Sequence, residues 1–211
     1  AVIRELLHRG YQINSLVHSR PIDSADGRIR NIRGELHDHA ALDNGMKDVD
    51  AIIHLVGIIA ERPGKGITFD RIHVQGTQAI INAAKRNGIG RILHMSALGT
   101  RPNAPTPYHR TKYQAEQIIQ HSGLQWTIFR PSLIHGPDGD FMKMEAAWVR
   151  HQSPPYLFMP YFGGGFFGLR GGGKLQPVFV NDVALAFANA LSLPQSVGKI
   201  YDLAGPDQMT W

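Results

Sequence analysis

Apolar residues follow one another along this chain in two rhythms. Short, nearly continuous runs predict buried strands over 11–17, 28–33, 51–56, 91–95, 126–130, 177–180 and 199–203. Between them the spacing lengthens to that of amphipathic helices. Residues 1–9 set Val2, Ile3, Leu6 and Leu7 on one face, with Gly10 as the stop, and 42–47 makes a shorter helix. Residues 69–86 align Ile72, Gln75, Gly76, Ala79, Ile80 and Ala83 and end at Gly88. A further helix opens near Pro107, capped by Thr106, and closes at Gly123. The last, DVALAFANALSL, is capped near Asn181 or Asp182. Strand and helix in alternation predict an α/β fold, a doubly wound parallel sheet with helices on both faces.

This rhythm breaks once. From Phe141 to Lys174 aromatic residues are interleaved with Gly and Pro, which no regular element tolerates throughout. The expected organisation is therefore a core over 1–140 and an irregular substrate-side region over 141–211, some of whose elements return to the core. That region reads as a lid and part core. The sharper alternative is that its aromatic residues line an apolar pocket or a contact with a partner or membrane surface.

Composition narrows the classes. The chain has 211 residues, enough for one substantial core, and 43% of them are hydrophobic. Its net charge of +5 comes from Lys and Arg that are scattered, with Arg28, Arg30 and Arg33 the densest group. This reads as a solvated strand edge and not as a nucleic-acid surface. Without cysteine there is no disulfide, thiolate nucleophile or Cys-based zinc site. The longest apolar run, 51–60, contains His54 and falls far short of the roughly 20 residues a membrane-spanning helix needs. A cytoplasmic location is expected, with peripheral membrane association as the variant.

Candidate chemistry centres on Tyr108 and Lys112, which lie one helical turn apart on the same face. An ammonium beside a phenol favours the phenolate and brings it toward proton exchange at neutral pH. Taken alone such a pair is a solvated first turn. Its setting argues otherwise, because Ser96 ends the preceding strand and loops at the carboxyl ends of parallel strands are where α/β sheets bind ligands. Other motifs fail on context. Gly163, Gly165 and Gly168 satisfy G-x-G-x-x-G, and Gly168 to Lys174 nearly satisfies a P-loop until Leu175. Neither follows a buried strand or opens a helix. His37 and His39 lack further ligands at metal spacing and read as a polar loop.

Several segments in order, DAIIHLVG (50–57), HVQGT (73–77), YHRTK (108–112), FRPSLIHGP (129–137), PVFVNDVA (177–184) and YDLAGP (201–206), resemble the short-chain dehydrogenase/reductase superfamily. Within it the likeness is to the atypical, extended-like group, and above all to bacterial relatives of the dinucleotide-binding accessory subunit of respiratory complex I. The resemblance implies a Rossmann-like fold that binds NAD or NADP. It implies Tyr108 as general acid/base, Lys112 as its partner and holder of the nicotinamide ribose, and Ser96, or else Ala97 in its place, at the substrate oxygen. His73 stands where an asparagine is usual, and Glu35 where an aspartate is usual beside adenine.

The remaining cofactor contacts expected are His18, Arg20, Leu36, Val56, Gly57, Arg130 and Pro131. The strand ending at Val17 is followed by His18 and Arg20 with no carboxylate at its tip, which tilts the choice toward NADP. A helix that opens at residue 1 reads as the second half of a β-α-β unit, so the first strand and Gly-rich phosphate loop, about a dozen residues, are expected to precede it. Met209 and Thr210 resemble the start of a further helix. The expected activity is hydride transfer on a small, apolar carbonyl or quinone-like substrate. The alternatives are a non-catalytic accessory or assembly protein of a membrane redox complex, and a sugar-nucleotide epimerase or dehydratase.

Overall fold

A computed structural model describes residues 1–23, 27–137 and 174–210, together with positions 139, 143, 146, 147, 150–152, 163, 164 and 170–172. Most of the aromatic and glycine-rich stretch over 141–174, with Asp138 and the glycines at 165 and 168, lies outside the described residues.

Two parallel sets of strands carry the fold. In the larger, β11 (Lys199–Leu203), β5 (Gln125–Pro131), β4 (Arg91–Met95) and β3 (Ala51–His54) lie in that order. In the smaller, β1 (Ile13–Val17) pairs with β2 (Ile29–Arg33). Among the described residues no hydrogen bonds join the two sets. The strand period of two sorts the side chains onto opposite faces. On one face Ile92 and Ile128, with Ile52, pack under α3 (Gly76–Arg86) and α4 (Pro107–Gln120) through Ile80, Ala83, Ala84 and Ile119. On the other face Leu93 and Phe129, with Ile53, meet Val183 and Phe187 of α5 (Val180–Leu191) and Val2 of α1 (Val2–His8). Helices thus cover both faces, as the alternating pattern predicts. Each fully buried aliphatic side chain contributes about 1.5–3 kcal/mol, which makes this double core the main source of stability.

Boundaries differ from the sequence reading where tertiary contacts decide them. The short helix α2 spans His39–Gly45, because the Asp38 carboxylate caps it by accepting from the Ala41 N–H. The helix expected over 69–86 opens instead with the π-helical turn Asp70–Gln75, before α3 begins at Gly76. Helix α4 ends at Gln120, and the left-handed glycine comes later, at Gly123 with φ of 80°. Helix α5 starts at Val180 without a side-chain cap, although Asp182 in its first turn complements the helix dipole. Met209 and Thr210 do not open a helix. They form β12 (Met209–Thr210), antiparallel to β9 (Lys174–Leu175). Nearby, β10 (Val178–Phe179) runs parallel to β6 (Ile134–His135), while β7 (Gly163–Gly164) pairs with β8 (Arg170–Gly172).

Candidate functional site

Thr106 and Pro107 decide where α4 begins. The threonine hydroxyl accepts from the His109 N–H, and proline costs nothing in a first turn whose N–H groups are unpaired. Starting there, the helix lays Lys112 across the carboxyl ends of β3 and β4. Its Nζ donates to the Met95 carbonyl at 3.0 Å, and only 3% of the residue is exposed. A Cβ added to Gly57 would stand 2.9 Å from this Nζ and 3.5 Å from His73 Nε2. The amine therefore sits between the two strand tips, close against Gly57. Tyr108 lies half-buried above it, its ring held edge-on by Phe69 at 5.8 Å, His73 at 5.5 Å and His109 at 5.0 Å.

Burial governs the electrostatics of this cluster. It pushes the Lys112 ammonium down to about 8, against the opposing pull of the Glu116 carboxylate. It also pushes the Tyr108 phenol up. The expectation that the ammonium lowers the phenol does not hold here: among the described residues no hydrogen bond joins Tyr108 to Lys112 or Ser96, so desolvation is unopposed. Burial and then the Lys112 charge hold His73 down, to about 4. The same two influences, followed by His73, bring His54 to about 3. His94 lies well below its ordinary value through burial and then the His54, Lys112 and His73 charges.

The other expected contacts separate into three groups. Ser96 is buried at the tip of β4, where its hydroxyl donates to Thr100 Oγ1 at 3.4 Å, while Val56 and Gly57 are exposed at the tip of β3. His18 and Glu35 meet at the tips of β1 and β2, Nε2 to Oε1 at 3.2 Å, with Arg20 exposed nearby in sequence. An imidazole and a carboxylate thus share this tip. The third group is occupied within the protein. Leu36 is a core residue packed against Gly76. The Arg130 guanidinium grips the Glu116 carboxylate in a two-pronged pair at 2.8 and 2.6 Å, which raises its pKa further. Pro131 is buried and lends its carbonyl to the Leu98 N–H.

Sequence reasoning missed Glu116, Thr111, Phe69 and the histidine pair His54 and His94. The pair carried a signal. Each is a histidine inside an apolar strand, and in the sheet they lie directly opposite each other, ring centroids 4.9 Å apart.

A parallel α/β sheet wound on both faces, with a buried lysine at its carboxyl edge, is the architecture of a Rossmann-type nucleotide-binding protein. The chain belongs to the NAD(P)H-binding family, whose model matches residues 1–147. It is 29% identical over 185 residues to the mitochondrial NADH dehydrogenase [ubiquinone] 1 alpha subcomplex subunit 9 of Arabidopsis thaliana, covering 87% of this chain and 43% of that protein. It is 28% identical over 155 residues to the ceramide reductase of Caulobacter vibrioides (strain NA1000 / CB15N), covering 72% of this chain and 48% of the reductase. The chain spans about half the length of the curated relatives it matches. Among solved structures, MoeE5 in complex with UDP-glucose and NAD superposes with a TM-score of 0.78 at 19% identity, covering 99% of this chain and 73% of that one. Gox2253 gives 0.75 at 24%, covering 99% and 67%. These structures share the fold. Among the described residues no helix is long and apolar enough to cross a membrane, and no group of three or more His, Cys, Asp and Glu could hold a metal ion.

Proposed function

We propose that this chain forms the dinucleotide site of an oxidoreductase of the short-chain dehydrogenase/reductase type, acting on a carbonyl/alcohol pair. The observation that carries the reading is the placement of Lys112 Nζ against Gly57 and the Met95 carbonyl, at the edge where such sheets bind ligands. The exposed backbone at 56–57 suits close approach of a cofactor, and the tips at His18, Arg20 and Glu35 suit a ribose with or without a 2′-phosphate. NAD and NADP are both accommodated. Bound there, the dinucleotide supplies or takes the hydride. Tyr108 gives its phenolic proton to the substrate oxygen as the carbonyl is reduced and recovers one in the reverse direction, while Ser96 orients that oxygen. The Lys112 ammonium holds the nicotinamide ribose. Desolvation raises the phenol in the free protein, so it stays protonated and ready to donate.

Tyr108→Phe is expected to remove turnover while leaving dinucleotide binding within about threefold, since the hydroxyl serves the chemical step. Unchanged turnover in that variant removes Tyr108 from the mechanism. Stabilisation of the intact protein against heat by NADH and by NADPH measures the cofactor preference.

A second reading is favoured by the missing link between the phenol and either Lys112 or Ser96: a dinucleotide-binding accessory protein of a membrane redox complex, peripherally associated and without turnover. The likeness to NADH dehydrogenase subunits supports it. Co-purification with membrane-complex subunits, with tight dinucleotide binding and no reaction across a carbonyl and quinone panel, distinguishes it.

A further inference from the structure

His73 lies on the π-helical turn Asp70–Gln75, 1% exposed, and both of its ring nitrogens reach across to other elements. Nε2 faces the Ile58 backbone N–H at 3.1 Å. An amide N–H can only donate, so Nε2 carries a lone pair. Nδ1 is 2.9 Å from Thr111 Oγ1. The single hydroxyl proton of Thr111 is directed at the Pro107 and Tyr108 carbonyls, each at 3.0 Å. Its oxygen therefore accepts from the ring, and Nδ1 carries the proton. These partners fix one neutral tautomer. The ring also stacks on Phe69 at 5.4 Å and meets Tyr108 edge-on. Lys112 Nζ and His73 Nε2 converge on the same side of Gly57, so an imidazolium would confront an ammonium in desolvated space.

We propose that His73 is a positioning residue of the site, a neutral crossbar that ties the tip of β3 at Ile58 to α4 at Thr111 and so holds Gly57, Tyr108 and Lys112 in one frame. Its consequence for binding and turnover rests on the dinucleotide reading above; its geometry does not. The loop arm, Ile58 to Nε2, sets the backbone against which a dinucleotide would lie. The helix arm, Nδ1 to Thr111, sets the turn that carries Tyr108. With both nitrogens engaged, the ring relays no proton unless one arm is broken. An asparagine here reaches only the place of Nδ1, whereas a glutamine oxygen reaches that of Nε2. Each therefore restores one arm.

Nitrogen-15 NMR of the intact protein at neutral pH tests the crossbar without any variant. The expected pattern for His73 is a protonated Nδ1 and a pyridine-like Nε2, and the reverse pattern or an imidazolium overturns the proposal. Hydrogen exchange at the Ile58 amide gives the second test. Protection is expected to fall roughly fivefold or more in His73→Phe and His73→Asn and to be retained in His73→Gln. Full protection in His73→Phe overturns it. NADH and NADPH serve as probes of the consequence. Loss of the loop arm (His73→Asn) should raise KM or Kd for the dinucleotide, and loss of the helix arm (His73→Gln) should lower kcat. Equal effects of the two on both parameters contradict the division of labour. A wild-type protein that binds neither dinucleotide defeats the functional reading, while the tautomer and the Ile58 exchange still decide the crossbar.

Discussion

His54 and His94 show what a polar residue costs inside an apolar strand. The Thr77 hydroxyl donates to the His73 carbonyl at 2.6 Å, so His54 Nε2 must donate to Thr77 Oγ1 at 3.0 Å. His54 Nδ1 and both nitrogens of His94 are buried without a partner. Each such atom costs about 1–3 kcal/mol. Both rings are held neutral by burial, His54 down to about 3 from an ordinary 6.5. The unfolded chain takes up these protons at its ordinary value and the folded protein does not, so stability falls as pH drops below 6.5 and continues to fall toward the folded value. Lys112 acts in the basic range with the same sign. The unfolded amine stays protonated up to 10.5 and the folded one only to about 8, so stability rises with pH between them. His94→Leu, close in volume and without polar atoms, is expected to be neutral or stabilising by about 1 kcal/mol near neutrality. It should also flatten the acid limb. Urea unfolding at two pH values measures both, and an unaltered acid limb contradicts the account.

At the scale of the element, α4 concentrates the site, and its two ends depend on different contacts. Thr106→Ala removes the cap of the turn bearing Tyr108 and should cost about 1 kcal/mol, read as a lower unfolding midpoint in urea. Glu116→Ala should cost more, about 3–5 kcal/mol, because it leaves the Arg130 cation without its carboxylate. A loss below about 1 kcal/mol would show that Arg130 finds another partner. The two ends were unequally legible. Thr106 and Pro107 are local signals and mark the start of α4 correctly. Glu116 follows Lys112 by one turn and looks like half of a surface ion pair, yet its partner is Arg130 on β5, which no local spacing encodes. The π-helical turn before α3 was unreadable for the same reason. Its register comes from packing, with Gly76 against Leu36 and His73 braced to two other segments.

For the molecule as a whole, the strand-helix alternation carried the fold into view, because a sheet covered on both faces needs apolar runs and amphipathic helices in turn. Ile92 and Leu93, adjacent in sequence, belong to cores on opposite faces. The pairing of Met209 with Leu175 was hidden, since two residues carry too little pattern to tell a strand from a helix start. Hidden too was Arg91, at the start of β4. Its guanidinium donates to the carbonyls of Ile92, Gln125 and Ala190 and to the hydroxyls of Thr127 and Ser196, tying two strands to the end of α5 and the turn beyond. Arg91→Met should cost about 1–3 kcal/mol through the hydrogen bonds it removes, measured by chemical denaturation.

These five acceptors of Arg91 have a consequence for the order in which the protein comes apart. None of them is a carboxylate, so moderate acidity neutralises no partner of Arg91 at the foot of β4. His54 and His94 stand near the upper margin of the sheet. Acid should therefore peel the sheet from the cleft side downward, and amide exchange on a descending pH series should report the tips of β3 and β4 before the foot of β4.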